Sequence, residues 1–343
     1  MRCTIKKNAK KRILLSAAIV AAILILAVGI GSVFVNPLEI LRIIGYRLFG
    51  IDGADNVSAT NTAIIWNVRL PRVLLAFVAG AALSVSGAVM QSVLRNPLAS
   101  SFTLGVSSGA SLGAALVIML GISFLPVFTM PAVGFAFAMA TMVLVIAIAS
   151  KMDKGSLQNN TIILLGMVAS LFVNAITTLL ITMNRDSLQR LIFWQLGSFS
   201  GQGWLPIAIL TPILVLGVLA VVRYHKEMDI MTFGEETAKT IGVNMSRTKW
   251  VLLILAASLT GSTIAFVGII GFVDLIAPHI VRRIFGARHK LLIPLSAIFG
   301  GTFMVAADTI ARSISPPTEI PIGVITALIG APFFAFIYLK NRK

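Results

Sequence analysis

An apolar stretch from Arg69 to Ser111 is interrupted by the pair Asn96-Pro97 and contains many Gly and Ser residues. A backbone amide without a partner costs several kcal/mol within hydrocarbon, so the chain at that depth is helical unless protein or water surrounds it. Proline and asparagine at a helix end, flanked by small residues, therefore indicate helices that pack around a cavity lined by protein. A purely structural membrane anchor would not need such a break.

The number of apolar runs predicts the fold class. With 57% hydrophobic and 12% charged residues, the chain has too little polar surface to cover a soluble globule. A bilayer core is roughly 30 Å thick and is crossed by about 20 apolar residues. The sequence therefore predicts an all-α, polytopic membrane protein with one transmembrane domain over residues 1–343 and ten spans, at 13–35, 73–94, 98–122, 127–150, 160–183, 205–223, 250–273, 275–286, 291–311 and 321–339.

A basic segment precedes the first span and resembles the start of a secretory signal peptide. The apolar run 13–35 is longer than the apolar region of most signal peptides and lacks a clear cleavage site. We therefore interpret it as a membrane span after a cytoplasmic segment, residues 1–12. Cys3 has no apolar run before it, so neither a disulfide nor a lipid anchor is predicted.

The distribution of Lys and Arg predicts the orientation in the membrane. With ten spans and an inside N-terminus, 21 of the 28 basic residues lie inside and seven lie outside; without the short span 275–286 the division is 15 to 13. Because loops rich in Lys and Arg are retained on the inner side, both termini are predicted to be cytoplasmic in the cytoplasmic membrane. The net charge of +16 then reflects topology and anionic lipid, and no nucleic-acid partner is predicted.

An internal repeat appears when the sequence is shifted by 181 residues. The shift places four residues on identical residue types: Gly80 on Gly261, Gly87 on Gly268, Pro97 on Pro278 and Gly105 on Gly286. The second copy begins five spans after the first, so the copies cross the membrane in opposite senses. Spans 2–5 and 7–10 are therefore predicted to form an inverted repeat with a substrate path between its halves. Chance matches are the alternative, since Gly and Pro are frequent at such positions.

Ordered sequence blocks carry a resemblance to a known family. The blocks are RLPR (69–72), SGA (86–88), RNPL (95–98), LGVSSG (104–109), GIIGFVDLIAPH (268–279), ADTIAR (307–312), EIPIGV (319–324) and GAPF (330–333). From about residue 60 to the C-terminus the chain resembles the FecCD family, the permease subunits of ABC importers for iron-siderophore, haem and cobalamin. The resemblance implies a non-catalytic permease for a ferric siderophore or related iron chelate, with haem or cobalamin as the alternative cargo.

The resemblance also implies partners. They are a second permease subunit, identical or related, two ATPase subunits and an extracytoplasmic substrate-binding protein. The sequence contains no GxxxxGK[ST] phosphate-binding loop, so ATP hydrolysis is expected in a separate subunit and the chain is not expected to be an enzyme. No cofactor is implied.

The longest predicted cytoplasmic loop is 224–249. Within it, residues 231–244 predict a short amphipathic helix with acidic residues in its first turn and a glycine at its end. The resemblance implies that this loop couples the permease to the ATPase, and the residues concerned are Glu235, Glu236, Ala238 and Gly242. A solvated surface helix is the alternative.

Three arginines lie at predicted span ends on the outside: Arg69, Arg72 and Arg312. The resemblance implies that acidic residues of the binding protein dock on them, in contacts that set orientation and association rate. Snorkelling of the side chains to lipid headgroups is the alternative.

A polar stripe follows the fifth span at intervals of three or four residues, which places its members on one helix face: Ser170, Asn174, Thr177, Thr178 and Thr182. This face either lines the translocation path or supplies hydrogen bonds between helices. The resemblance favours the path, because this span lines the channel at the dimer axis in the family. It also implies a cytoplasmic gate that includes Asn96, Leu98 and the loop 151–160.

Two carboxylates lie within predicted spans, where a central Asp costs about 2.5 to 3.5 kcal/mol. Asp308 precedes Arg312 by one helical turn, which predicts an ion pair on one face. Asp274 is predicted to cap a helix N-terminus. No metal site is predicted, because the histidines lie apart without partners at metal-ligand spacing: His225, His279 and His289.

A secondary transporter driven by an ion gradient is the alternative from another functional class. It would need a carboxylate or ion cage near the midplane in both repeats, but Val93 stands where the shift places Asp274. A purely structural scaffold would not explain the helix breaks.

Overall fold

The computed structural model describes residues 19–30, 35–50, 58–153, 157–315 and 318–340, and within these ranges the chain forms helices and no strand. The helices are α1 (Ile19–Gly29), α2 (Pro37–Phe49), α3 (Ala59–Ile64), α4 (Leu70–Val93), α5 (Val106–Leu120), α6 (Thr129–Met152), α7 (Asn159–Met183), α8 (Leu188–Gln195), α9 (Trp204–Arg223), α10 (His225–Met231), α11 (Glu235–Thr240), α12 (Met245–Val267), α13 (Val273–Phe285), α14 (His289–Ser313) and α15 (Ile322–Lys340).

Six helical segments in the described part of the chain are long and apolar enough to cross a membrane: 59–93, α6, α7, α9, α12 and α14. Three shorter apolar helices accompany them, α1, α5 and most of α15. Together with α13, these helices overlap the predicted spans, although residues 1–18 and 31–34, which include the segment 1–12 and part of the first span, lie outside the described residues. The all-α, polytopic membrane class is therefore confirmed, while the count of ten crossings stays a prediction.

The predicted second span, 73–94, begins too late. The helix is continuous from Ala59 to Val93, because a π-helical turn at Ile65–Arg69 joins α3 to α4. Pro71 lacks an amide hydrogen and its ring crowds the preceding turn of a regular α-helix. A widened turn just before Pro71 relieves this crowding, so the proline lies within the helix and does not mark its beginning.

The central helix of the fold is α4, which is apolar on all sides and is almost entirely buried by protein. Its glycines permit close approach of neighbouring backbones. A Cβ atom on Gly87 would lie 1.8 Å from the backbone oxygen of Asp274 in α13, and one on Gly80 would lie 2.3 Å from the backbone oxygen of Gly300 in α14. Both positions therefore exclude any side chain, as is typical of tight helix pairs in membranes.

Helices of the first predicted repeat, α4 to α7, pack against helices of the second, α12 to α15. Helix α4 of the first half packs against α13 and α14, whereas α12 of the second half packs against α5 and α6. The order of helix lengths also recurs, with 24, 15, 24 and 25 residues in α4 to α7 and 23, 13, 25 and 19 in α12 to α15. These regularities are what a repeat of four elements produces.

The residue pairs matched by the shift of 181 differ in local structure. Gly87 lies in the middle of α4, whereas Gly268 follows the last residue of α12 with a φ of 77°. Pro97 lies in the turns between α4 and α5, whereas Pro278 lies inside α13. The positions that the shift matches therefore do not share a backbone conformation, and the inverted repeat stays a prediction.

The predicted helix break at Asn96-Pro97 is present, with turns between α4 and α5. The side-chain oxygen of Asn96 accepts a hydrogen bond from the Leu98 amide at 2.9 Å, which closes a local turn. Helix α5 begins only after Gly105, whose φ of 88° suits glycine. The predicted third span, 98–122, therefore starts too early, and span 250–273 is likewise too long because α12 ends at Val267.

Candidate functional site

The loop between α9 and α12 contains two short helices, α10 and α11. As predicted, Glu235 and Glu236 occupy the first turn of α11, where the helix dipole favours acidic groups. Gly242 follows the helix with a φ of 90°. The predicted helix is confirmed, although it is shorter than the stretch 231–244.

The four predicted coupling residues differ in exposure. Ala238 is fully buried and Glu235 is partly buried, whereas Glu236 and Gly242 are exposed. Two large apolar side chains near the ends of α11 are also exposed, Phe233 by 76% and Ile241 by 62%. The sequence analysis missed this pair; the signal was two bulky apolar residues beside a charged helix.

A buried lysine fastens α11 to the rest of the fold. The Nζ atom of Lys249, near the start of α12, donates to the Glu235 carboxylate at 2.5 Å, to the Asn159 side-chain oxygen at 2.7 Å and to the Leu157 carbonyl at 2.6 Å. We call these four residues the Lys249 junction. The sequence analysis counted Lys249 only as a positive charge in a cytoplasmic loop.

A second polar network joins α10 to α4, α13 and α14. The two ring nitrogens of His289 lie 2.6 Å from a carboxylate oxygen of Asp229 and 2.7 Å from the Ser92 hydroxyl. Arg282 donates to Ser92 at 3.3 Å and also to the side-chain oxygen of Gln91. The loop that carries α11 is therefore tied to α4, α13 and α14 as well as to α7 and α12.

The predicted gate residues lie on the turn between α4 and α5. Asn96 is partly buried, and Leu98 is 56% exposed. Part of the loop 151–160, the other predicted element of the gate, lies outside the described residues. Their role as a gate stays a prediction.

The polar stripe on α7 satisfies its hydroxyl groups locally. Each hydroxyl donates to the carbonyl oxygen four residues earlier on α7, at 2.9 Å, in Ser170, Thr177, Thr178 and Thr182. Asn174 is exposed beside them. The apolar part of α7 is the least buried among the six long segments. Much of the surface of α7 therefore faces away from the rest of the chain.

The three arginines predicted to dock the binding protein lie close to one another and to Asp308 and Glu319. Arg72 donates to both carboxylate oxygens of Asp308, with the closest contact at 2.8 Å, and to Glu319 at 2.7 Å. Arg312 lies 3.9 Å from Asp308, so the predicted pair one turn apart is present, but Arg72 is the closer partner of Asp308. We call these five residues the rim cluster.

All three arginine side chains are largely enclosed by protein. Arg69 donates to the carbonyl oxygen of Gly29 at 3.1 Å, and Arg312 donates to that of Ala27, so both hold α1. Glu319 is the more exposed acid of the rim cluster. Burial alone would raise the pKa of Glu319, but the hydrogen bond and charge of Arg72 outweigh it and lower the pKa below the usual glutamate value.

Asp274 is buried in the first turn of α13, but the residue at the N-cap is Phe272. The prediction that Asp274 caps the helix is therefore wrong, because the helix begins one residue before it. His279 packs edge-on against the rings of Phe333 and Phe334 of α15. Among the described residues there is no group of His, Cys, Asp and Glu able to hold a metal ion.

Two sequence relatives match the chain over most of its length. The cobalamin import system permease protein BtuC of Halobacterium salinarum is 40% identical over 287 residues, which cover 84% of this chain and 76% of that protein. The Fe(3+)-citrate import system permease protein YfmE of Bacillus subtilis is 36% identical over 341 residues, 98% of each chain.

A solved structure has the same fold. An inward-facing conformation of a metal-chelate type ABC transporter superposes with a TM-score of 0.83 at 30% identity, over 96% of this chain and 99% of that chain. The profile of the FecCD transport family matches residues 6–340. The chain belongs to the FecCD transport family.

Proposed function

We propose that this chain is the transmembrane permease subunit of an ATP-binding-cassette importer that carries a ferric siderophore or a related iron chelate across the cytoplasmic membrane. The observation that carries the proposal is the match to the FecCD family over nearly the whole chain. Relatives named for iron(III) citrate and cobalamin support a bulky chelate as cargo. A haem or cobalamin permease is the alternative.

The path of the cargo is proposed to lie between two permease subunits, along the α7 face. The exposed side-chain amide of Asn174 is costly against lipid tails, which offer it no hydrogen-bond partner. A second copy, or a related permease, packed around a polar path removes that cost. Asn96 and Leu98 are proposed to narrow the path at its cytoplasmic end.

One of two separate ATPase subunits is proposed to contact α11 and to drive transport through this contact. The exposed Glu236, Gly242, Phe233 and Ile241 support a contact surface on this helix. Buried Ala238 holds the helix against the permease. ATP is hydrolysed by the ATPase, and the permease itself is not an enzyme.

The substrate-binding protein is proposed to dock at the rim cluster. Arg69, Arg72 and Arg312 already contact acidic groups or carbonyl oxygens within the chain. An acidic residue of the binding protein therefore takes the place of Glu319, the more exposed acid, in its contact with Arg72.

The proposed membrane arrangement has ten spans, an inverted repeat of spans 2–5 and 7–10, and both termini in the cytoplasm. Residues 1–12 and 224–249 then lie on the cytoplasmic side. The packing of α4 against α13 and α14, and of α12 against α5 and α6, supports the repeat.

Reconstitution with the ATPase subunits and the binding protein in proteoliposomes tests the proposal. The cargo panel comprises ferric citrate, a ferric hydroxamate, a ferric catecholate, haemin and cyanocobalamin. We expect accumulation of one iron chelate that requires both ATP and the ATPase subunits and is insensitive to a protonophore. Accumulation without ATP that a protonophore abolishes would instead identify an ion-coupled transporter.

A further inference from the structure

The Lys249 junction brings together three parts of the chain that are separate in sequence. Lys249 belongs to α12, Glu235 is the first residue of α11, and Asn159 is the first residue of α7. Leu157 lies just before α7 and is fully buried. One ammonium group carried by α12 therefore contacts both the beginning of α11 and the beginning of α7.

The geometry of the junction uses the full bonding capacity of the lysine. An ammonium group has three hydrogens, and Nζ has three acceptors at 2.5 to 2.7 Å. The side chain of Lys249 is 0% exposed, so water does not substitute for a lost acceptor. Removing one partner of a buried charge is strongly unfavourable. The contacts are therefore maintained together when one of the three helices is displaced.

We propose that Lys249 is a positioning residue that transmits a displacement of α11 to the N-terminal end of α7. This inference rests on the proposed function, because it assumes that an ATPase moves α11. It assigns Glu235 a role different from the predicted ATPase contact, since its carboxylate oxygen bonds to Lys249 within the permease. Glu236 is exposed on the same turn and keeps its proposed role as a contact for the ATPase.

The chain offers a matched control for each partner. Arg247 lies on α12 with Lys249 and is exposed, so Arg247→Met removes a positive charge from the same helix without removing a contact of the junction. Asn67 is exposed in the π-helical turn before α4, so Asn67→Ala removes an amide side chain outside both the junction and the predicted gate. The test variants are Lys249→Met and the milder Asn159→Ala.

The measurement is the ratio of cargo accumulated to ATP hydrolysed by the reconstituted complex. The cargo is the member of the panel that the wild-type complex accumulates. For Lys249→Met we expect the ratio to fall by about tenfold while the complex still assembles and hydrolyses ATP. A smaller fall is expected for Asn159→Ala, and none for either control. The double variant Lys249→Met, Glu235→Leu should be no worse than Lys249→Met alone, because Lys249→Met already removes the contact that Glu235→Leu would remove.

The outcomes separate this inference from the proposed function. If the wild-type complex accumulates no panel member with ATP, the proposed function fails. If the wild type transports and both Lys249→Met and Asn159→Ala keep the wild-type ratio, the positioning role is refuted. Should Lys249→Met fail to assemble, Asn159→Ala alone decides, because it leaves the Glu235 and Leu157 contacts in place.

Discussion

At the scale of single residues, the buried cations of the rim cluster and of the Lys249 junction are bonded to groups on other elements. Arg72 places its Nε and one terminal nitrogen on Asp308 and the other terminal nitrogen on Glu319. Only a guanidinium group supplies donors in this planar fork. The arginine thereby fastens α4 both to α14 and to the segment before α15, and its role at the rim includes stability as well as any contact with a partner.

Replacing Arg72 tests this structural role. We expect Arg72→Met to lower the free energy of unfolding by about 3 to 5 kcal/mol, because it leaves the buried Asp308 without its closest partner. Arg72→Lys should also destabilise the protein, since it keeps the charge but loses the fork. The measurement is the midpoint of thermal unfolding of the purified protein in detergent.

The control for Arg72 is Arg42→Met, which removes an exposed arginine from α2. The double variant Arg72→Met, Asp308→Leu should recover much of the lost stability, since no charge is then left unpaired. If Arg72→Met unfolds at the same midpoint as Arg42→Met, the rim cluster does not stabilise the fold.

Residue contacts could be predicted from the sequence only where they are local. Asp308 and Arg312 are one helical turn apart, so their pairing follows from helix geometry. Arg72 and Asp308 are separated by 236 residues, and Lys249 and Glu235 lie on different helices. Such contacts depend on which helices, distant in sequence, pack together. Neither residue spacing nor hydropathy predicts that packing.

At the scale of elements, the contact between α4 and α13 depends on the absence of a side chain at Gly87. The Cβ of an alanine there would meet the backbone of Asp274, which cannot rotate away as a flexible side chain would. The two helices would have to separate, and tight packing along both would be lost.

We therefore expect Gly87→Ala to destabilise the protein by at least about 1 to 3 kcal/mol, the usual cost of overpacking. The measurement is again thermal unfolding in detergent. Gly271→Ala is the control, since a Cβ on Gly271 has no atom within 4 Å. Equal midpoints for the two variants would show that the helices do not approach as closely as described.

The ends of helices were harder to predict than their existence. Apolar runs locate α6, α7, α9 and α14 well, because a span requires a minimum length of apolar sequence. Helices α2 and α3 were missed, since the segment before residue 60 lacks a long apolar run. Backbone conformation sets the ends at Gly105 and Gly268, and hydropathy does not report it.

At the scale of the whole molecule, α7 is the least buried of the six long apolar segments, and the proposed path lies along its exposed face. We expect two copies to meet there, so Asn174→Cys in a Cys3→Ser background should form a crosslinked product of two chains with a short thiol-specific reagent in membranes. Cys3 is the only native cysteine, so the background is clean.

The control for this crosslink is Leu216→Cys on α9, which is 67% exposed and lies on a different helix. It should remain uncrosslinked. Equal crosslinking at both positions would indicate random collision, and crosslinking only from Leu216→Cys would place the interface on α9 and contradict the proposed path.

The class of the molecule was readable from sequence because ordered motifs and hydropathy extend over most of the chain. The cargo was not readable: the outer arginines are bonded within the chain and the α7 hydroxyls bond to their own helix. Neither set displays a pattern of groups that would match one chelate.

The burial of α4 has a consequence for how the protein is made. The side chain of Gln91 in α4 bonds to the Asp274 backbone, 183 residues later, so the ribosome synthesises α4 long before α13 and α14 exist. During that interval the small-residue surfaces of α4 face lipid or the insertion machinery. A nascent chain that stops before α12 thus leaves α4 without most of the helices that bury it in the finished fold.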